Sequence, residues 1–305
     1  MSWRTLEYSG GSVFKGELDR SGRKNGYGML RTADGEVYSG EWKNDLRHGR
    51  GKMTYSDGFV YDGEWAEDCW EGRGKARYCG GDIYEGEFSD GKREGLGTYK
   101  WTDGSYYQGE WHEDRRQGRG KLVFTDGSYY FGEWYDDRRA GHGVMLDTAT
   151  EITYEGEWSD GRMNGHGILT YAGGTQYEGE FRDDMRTGMG VLRLPDGGVF
   201  EGEWKEDVIG GRGKHTSPDG SVYEGEWQNG LQSGRGRMTY PDGSCYDGEW
   251  CFGLRDGKGR VTEADGSSYD GEWKNDRKHG SGIVTAPDGS TFRTEWINGT
   301  MITKR

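Results

Sequence analysis

Apolar positions in this chain are sparse and evenly spaced. An aromatic residue recurs at Phe14, Tyr38, Tyr61, Tyr84, Tyr107, Tyr130, Tyr154, Tyr177, Phe200, Tyr223, Tyr246, Tyr269 and Phe292, at intervals of 23 residues with two of 24. It opens the phrase aromatic-x-Gly-Glu-Trp, as in Tyr38 to Trp42, Tyr61 to Trp65 and Tyr107 to Trp111. Alternation at period two predicts a strand. Turn formers follow at the sixth and seventh positions, as in Asn44-Asp45, Asp90-Gly91, Asp160-Gly161 and Asn229-Gly230. A second strand then carries Gly-x-Gly, as in Gly49-Arg50-Gly51, and ends at Asp-Gly, as in Asp57-Gly58 and Asp126-Gly127. Each repeat therefore reads as two strands and two turns, and a fixed period of this length marks a tandem array.

The period divides the chain into a partial repeat at residues 1–13, twelve repeats over 14–291, and a degenerate capping repeat at 292–305 with Thr294 where Gly belongs. A bend is expected near 144–153, where Ala149-Thr150 replaces Asp-Gly, Asp147 stands in a position often aromatic, and one residue is added before Tyr154.

A two-residue first turn predicts that Gly51 faces Tyr38. Gly49 would then be flanked by Trp65. A three-residue second turn ending in a left-handed Gly keeps successive aromatics on one face. The fifteenth position, Met53, Ala76, Tyr99, Leu122 and onward, shares that face and is apolar or aromatic in every regular repeat but the one with His215. Glycine lets large rings lie against the backbone. Trp42 and its equivalents are expected to face a cation such as Arg47, Arg93, Arg116, Arg139 or Arg186 in a cation–π pair. On the other face the repeated Glu is expected to pair across strands with a base, as Glu64 with Arg50, Glu87 with Arg73, Glu133 with Arg119 and Glu226 with Arg212.

The Tyr-x-Gly-Glu-Trp, Gly-x-Gly and Asp-Gly phrases, in register over residues 14–296, resemble the MORN (membrane occupation and recognition nexus) repeat family. That resemblance implies an all-β fold, an elongated, twisted, single-layer antiparallel sheet of β-hairpins.

Composition would otherwise mislead. Only 30% of residues are hydrophobic and the net charge is −14, a combination typical of disorder. Aromatics at 14%, 59 glycines and only four prolines point instead to an ordered, aromatic-rich sheet. Cys69, Cys79, Cys245 and Cys251 form no C-x-x-C pair, so free thiols are expected. No apolar run has membrane-spanning length, and Met1 to Arg4 do not open a signal peptide, so the sequon at Asn298-Gly299-Thr300 is read as chance. A cytoplasmic protein of the cytoskeleton, cilium or flagellum, neither secreted nor transmembrane, is expected.

No catalytic, metal or cofactor site is expected. The glutamates recur identically in every repeat, which a catalytic pair would not do. Gly86 to Lys92 imitates a phosphate-binding loop, but Arg93 replaces the required hydroxyl and a hairpin replaces the strand–loop–helix. The six histidines lie in different repeats without ligand spacing. Arg115, Arg116, Arg138, Arg139, Arg277 and Lys278 are candidates for anionic phospholipid headgroups along one edge, with pairing to Trp or Asp favoured over lipid. The net charge opposes nucleic-acid binding. A single sheet layer is expected to leave its aromatic row partly exposed, a surface for protein partners or for a second copy in a homodimer. The candidate residues are Tyr99, Trp101, Tyr107, Trp111, Phe124, Tyr130 and Trp134, backed by an unusually apolar opposite face at Tyr106, Val123, Tyr129, Phe131, Val144 and Leu146. The leading expectation is a non-catalytic scaffold of a cytoskeletal or ciliary (axonemal) assembly. The alternatives are a phosphoinositide-binding peripheral membrane protein, or an accessory subunit of an enzyme, since the repeats precede kinase or methyltransferase domains in some relatives.

Overall fold

A computed structural model describes residues 2–304. Among them are 27 strands, from Ser2–Glu7 to Thr300–Lys304, and one 3-10 turn at Ala172–Gly174, with no α-helix. Strands pair antiparallel with their neighbours in the chain, as at Tyr106–His112 with Arg115–Val123 and at Cys245–Cys251 with Leu254–Thr262. The chain forms two compact units, one of Met1–Ala149 with Trp158–Gly161 and one of Thr150–Glu157 with Arg162–Arg305. The division falls where the sequence adds its residue before Tyr154.

The repeat beginning at Tyr107 shows how the pattern folds. Its first turn is Glu113-Asp114, with φ of 46° and 69°, between the paired His112 and Arg115. Positive φ at both central residues matches the twist of the flanking strands, which is why Asn, Asp and Gly crowd this position. The second turn is Thr125-Asp126-Gly127. The Phe124 N–H donates to Ser128 O at 2.8 Å and the Gly127 N–H donates to Phe124 O at 3.1 Å, with Gly127 at φ 88°. This is the expected three-residue turn, and it returns the next aromatic to the same face.

The register inside the hairpin differs from expectation. Tyr38 sits opposite Met53, and Gly51 sits opposite Gly40. Likewise Tyr107 pairs with Leu122 and Gly109 with Gly120, while Trp111 pairs with Arg116. Between these pairs the returning strand carries two extra residues, a bulge centred on Gly118 at φ 65°. The Arg119 N–H freed by the bulge donates to Glu110 Oε1 at 2.9 Å. The repeated Glu therefore closes its own bulge. Arg119 and Glu133 do stand opposite each other, as do Arg50 and Glu64, but no ion pair joins these rows among the described residues, so the expected charge ladder is corrected. The expected flanking of Gly49 by Trp65 does occur.

The rings hold the sheet by burial. Tyr107 is fully buried, lying on Gly109 and Gly120, where an added Cβ would strike its ring. Its hydroxyl donates to Glu110 O at 3.0 Å. Trp111 and Trp134 meet it edge-on, with centroids at 5.1 and 5.4 Å and planes near 89° and 83°. Edge-to-face pairs of this kind contribute about 0.5–1.5 kcal/mol each beyond area burial. The Trp134 indole N–H donates to Gly120 O at 3.1 Å, which ties its strand to the preceding repeat, and Trp65 and Trp273 do the same with Gly51 and Gly259. The same arrangement recurs in the second unit around Tyr246, between Trp250 and Trp273.

Candidate interaction surfaces

The structure divides the aromatic candidates. Tyr107, Trp111, Tyr130 and Trp134 are at most 5% exposed and belong to the core. The single layer thus does not leave its Tyr and Trp rows open. Tyr107 and Tyr130 are each covered by glycine beneath, by indoles on two sides, and by the guanidinium of Arg116 or Arg139 above. Tyr99 and Trp101 are half-buried and pack on each other at 4.9 Å, and the Tyr99 hydroxyl donates to Asp82 at 2.8 Å. Burial pushes the Tyr99 hydroxyl well above the ordinary phenol range. Phe124 alone of the seven is largely exposed, at 49%.

The basic candidates do not form one free edge. Arg116 stacks on Trp134, the indole of the next repeat, with its guanidinium 4.3 Å from the ring centroid. Its Nε and its backbone N–H both donate to Asp137 Oδ1, at 2.9 and 3.0 Å, and Nη2 donates to Asp137 O. Arg139 stacks on Trp158 and donates to Gly161 O, and Lys278 lies over Tyr269 and Trp296. The cation–π pairs therefore exist, but with the following repeat's Trp. In its own hairpin Arg116 is opposite Trp111, yet its side chain extends toward the next turn, where Asp137 holds it. Arg115 pairs with Asp136 and Arg138 with Asp160, both at the exposed turns. Arg277 flanks its turn opposite Lys274.

On the opposite face, Tyr106 pairs with Val123, Val123 with Tyr129 and Tyr129 with Leu146, making one cross-strand apolar row. Beside it Lys121 pairs with Phe131 and Phe131 with Val144. Phe131 is 51% exposed and Tyr135 68%. In the second unit the equivalent row alternates in sign, with Glu201 opposite Lys214, Glu224 opposite Arg237 and Asp247 opposite Arg260.

Two features escaped the sequence reading. One is a hollow of about 820 Å3 lined by Arg116, Leu122, Phe124, Tyr130, Trp134, Arg138, Arg139, Met145 and Asp147, which gathers members of both candidate sets. The other is an exposed apolar row at the turn edge of the second unit, Met185, Val208, Leu231 and Leu254, with Phe252 at a turn tip. Comparing the sixth and eighth positions of successive repeats would have revealed the latter. Among the described residues no group of His, Cys, Asp and Glu is arranged to hold a metal, and no helix is long and apolar enough to cross a membrane.

A family profile described as MORN repeat matches residues 16–37, 38–60, 61–83, 84–106, 107–129, 130–148, 154–176, 177–199, 200–222, 223–245, 246–268 and 269–291. No curated protein matches the chain. Similar solved structures include the TCP domain of Drosophila melanogaster SAS-4 (dCPAP) in complex with a proline-rich motif of Ana2 (dSTIL). It is 17% identical, with 57% of this chain and 86% of that chain covered and a TM-score of 0.32. The wild-type TCP10 domain of Danio rerio CPAP with a peptide of STIL is 11% identical, covering 97% of this chain and 100% of that one, with a TM-score of 0.28. Virginiamycin B lyase from Staphylococcus aureus is 12% identical, covering 95% and 92%, with a TM-score of 0.15. At these scores none of the likenesses bears on function.

Proposed function

Since the chain belongs to the MORN-repeat family, we propose that it is a non-catalytic scaffold that holds protein partners on the outward apolar face of the strands from Tyr106–His112 to Arg138–Asp147. The observation that carries this reading is the contrast between repeated and unrepeated residues. The repeated Tyr, Trp, Gly and Glu, and the Arg stacked on the rings, are consumed in building the sheet. The exposed aromatics of the outward face here are unrepeated, with Phe131 and Tyr135 projecting beside the row Tyr106–Val123–Tyr129–Leu146. Exposed aromatics over a half-buried apolar row have the makeup of a protein interface centre. A cytoskeletal or ciliary setting follows from where proteins built mainly of these repeats are found. The phosphoinositide reading draws little support from its six basic candidates, because Asp, Trp or backbone carbonyls already engage five of them.

The test is localisation of the tagged protein in its own cell, followed by detergent extraction. Retention with the insoluble cytoskeleton, lost in Phe131→Asp, supports the scaffold. Complete release of the wild type, with salt-dependent binding to phosphoinositide vesicles, would replace it by the membrane reading.

A further inference from the structure

Two positions break the repeat in complementary ways. The first is a ring with no pocket. The sixth position of a repeat is a turn residue at φ near 50°, such as Asn44, Asp90, Asn229 and Asn275. These residues tolerate the left-handed region, whereas bulky side chains avoid it. At Phe252 the same conformation, φ 50°, carries an aromatic ring that is 73% exposed. Leu254 stands two residues on and Leu231 lies beside the adjacent Gly253, both more than one-third exposed. The ring is largely uncovered and does not suit its turn.

The second is a pocket with no ring. At the seventeenth position Tyr55, Tyr78, Trp101 and Phe124 follow one another in the first unit, and the run stops at Asp147. There the aromatic face opens into the hollow. Phe124 forms one wall, Tyr130, Leu122 and Met145 line it, and the guanidinium of Arg139 lies beside Met145 Sδ at 3.4 Å. Rings, a thioether and guanidinium groups are the surroundings that hold an aromatic side chain.

We propose that Phe252 of one copy enters the hollow between Phe124 and Met145 of a second copy, so that copies associate head to tail. The contact joins two different surfaces, and such a heterologous contact either closes into a ring or extends as an open chain of copies. One ring with two flanking leucines buries less than a standard interface of about 1,600 Å2, so association is weak and concentration-dependent. The inference goes beyond the partner-binding reading and does not use Phe131.

Sedimentation velocity of the full chain from roughly 10 to 500 µM, the range of a weak contact below about 1,200 Å2, tests it. The wild type is expected to gain mass as its concentration rises. Phe252→Asn, which installs the residue other repeats use in this turn, and Asp147→Tyr, which restores the ring in cis, are each expected to stay monomeric. Mixed together they are expected to form a dimer and stop there, because only one knob and one hollow remain between them. A wild type that is monomeric throughout, either variant associating as the wild type does, or a mixture that stays monomeric would overturn the proposal. Loss of detergent-resistant retention in Phe131→Asp with self-association unchanged would leave the two readings separate.

Discussion

Glycine at the thirteenth position is the strictest requirement the packing imposes, and Gly120→Ala measures it. A Cβ there falls within the Tyr107 ring, and the ring has no way to retreat. Trp111 and Trp134 block it at 5.1 and 5.4 Å, and the Arg116 guanidinium lies 5.7 Å above it. The ring must swing out, losing its burial at about 1.5–3 kcal/mol, part of two edge-to-face pairs and a hydrogen bond worth about 1 kcal/mol. The expected loss is about 3–5 kcal/mol, at the upper end for a single substitution. Two other glycines of the same repeat serve as internal controls. Gly118→Ala meets only the carboxylate end of Glu110 but sits at φ 65°, so about 1–2 kcal/mol is expected from the left-handed backbone. Gly127→Ala has open space, its nearest neighbour being Thr148 at 3.9 Å, and bears only the cost of its φ of 88°, about 1 kcal/mol. Urea unfolding followed by tryptophan fluorescence, with amide exchange across Tyr106–Val123, should rank the three with Gly120→Ala the most damaging. Repeat arrays can open locally, which is why exchange accompanies the melt. If Gly120→Ala costs no more than Gly127→Ala, ring-on-glycine packing is not what holds this sheet.

Other perturbations read other parts of the account. Arg116→Ala should cost about 1–3 kcal/mol through the stack on Trp134 and the bonds to Asp137, and Arg116→Lys should recover less than half in the same urea melt, since an ammonium cannot reproduce the fork. The ten fully buried tyrosines give a pH signature. Burial raises their hydroxyl pKa values above the ordinary 10.0, to about 12 for Tyr177 and Tyr269. Above pH 10 the unfolded chain releases these protons while the folded chain keeps them, so stability should be intact below that pH and fall as pH rises toward the folded values. Tyrosinate absorbance should then rise together with loss of the β-sheet circular dichroism, and early ionisation in an intact sheet would contradict the burial. Asp147→Tyr should stabilise the first unit by up to about 1 kcal/mol by filling the hollow, read as a higher urea midpoint.

Much of this fold could be read from the sequence because a repeat tests each inference many times over. The period, the two turn types and the facing of Met53 or Leu122 toward the aromatic row all came from spacing. The bulge did not. Two extra residues at Gly118 shift the pairing by two positions, and since side chains alternate with period two, every residue keeps its face. The hydrophobic pattern is therefore blind to it. Its consequences were hidden too, because the Glu110 carboxylate answers an N–H that exists only when the strand bulges. The cation's true partner was missed for a geometric reason, as cross-strand position places Arg116 opposite Trp111 whereas the anchor at Asp137 holds its guanidinium over Trp134. Burial of the rings was underestimated because a single layer, with no second sheet over it, was expected to leave its aromatic row partly exposed. The hollow and the Phe252 knob came from repeat-breaking residues, which a search for the repeat sets aside.

The scaffold reading is tested most directly by site-specific photocrosslinking in the protein's own cell. A photoreactive side chain at Phe131, on the apolar outward face, should yield a discrete adduct with a partner protein. The same group at Glu224, on the charge-alternating face of the second unit, should not. No adduct at Phe131, or the same adducts from both positions, would contradict the claim that this chain presents its unrepeated aromatics to a protein partner.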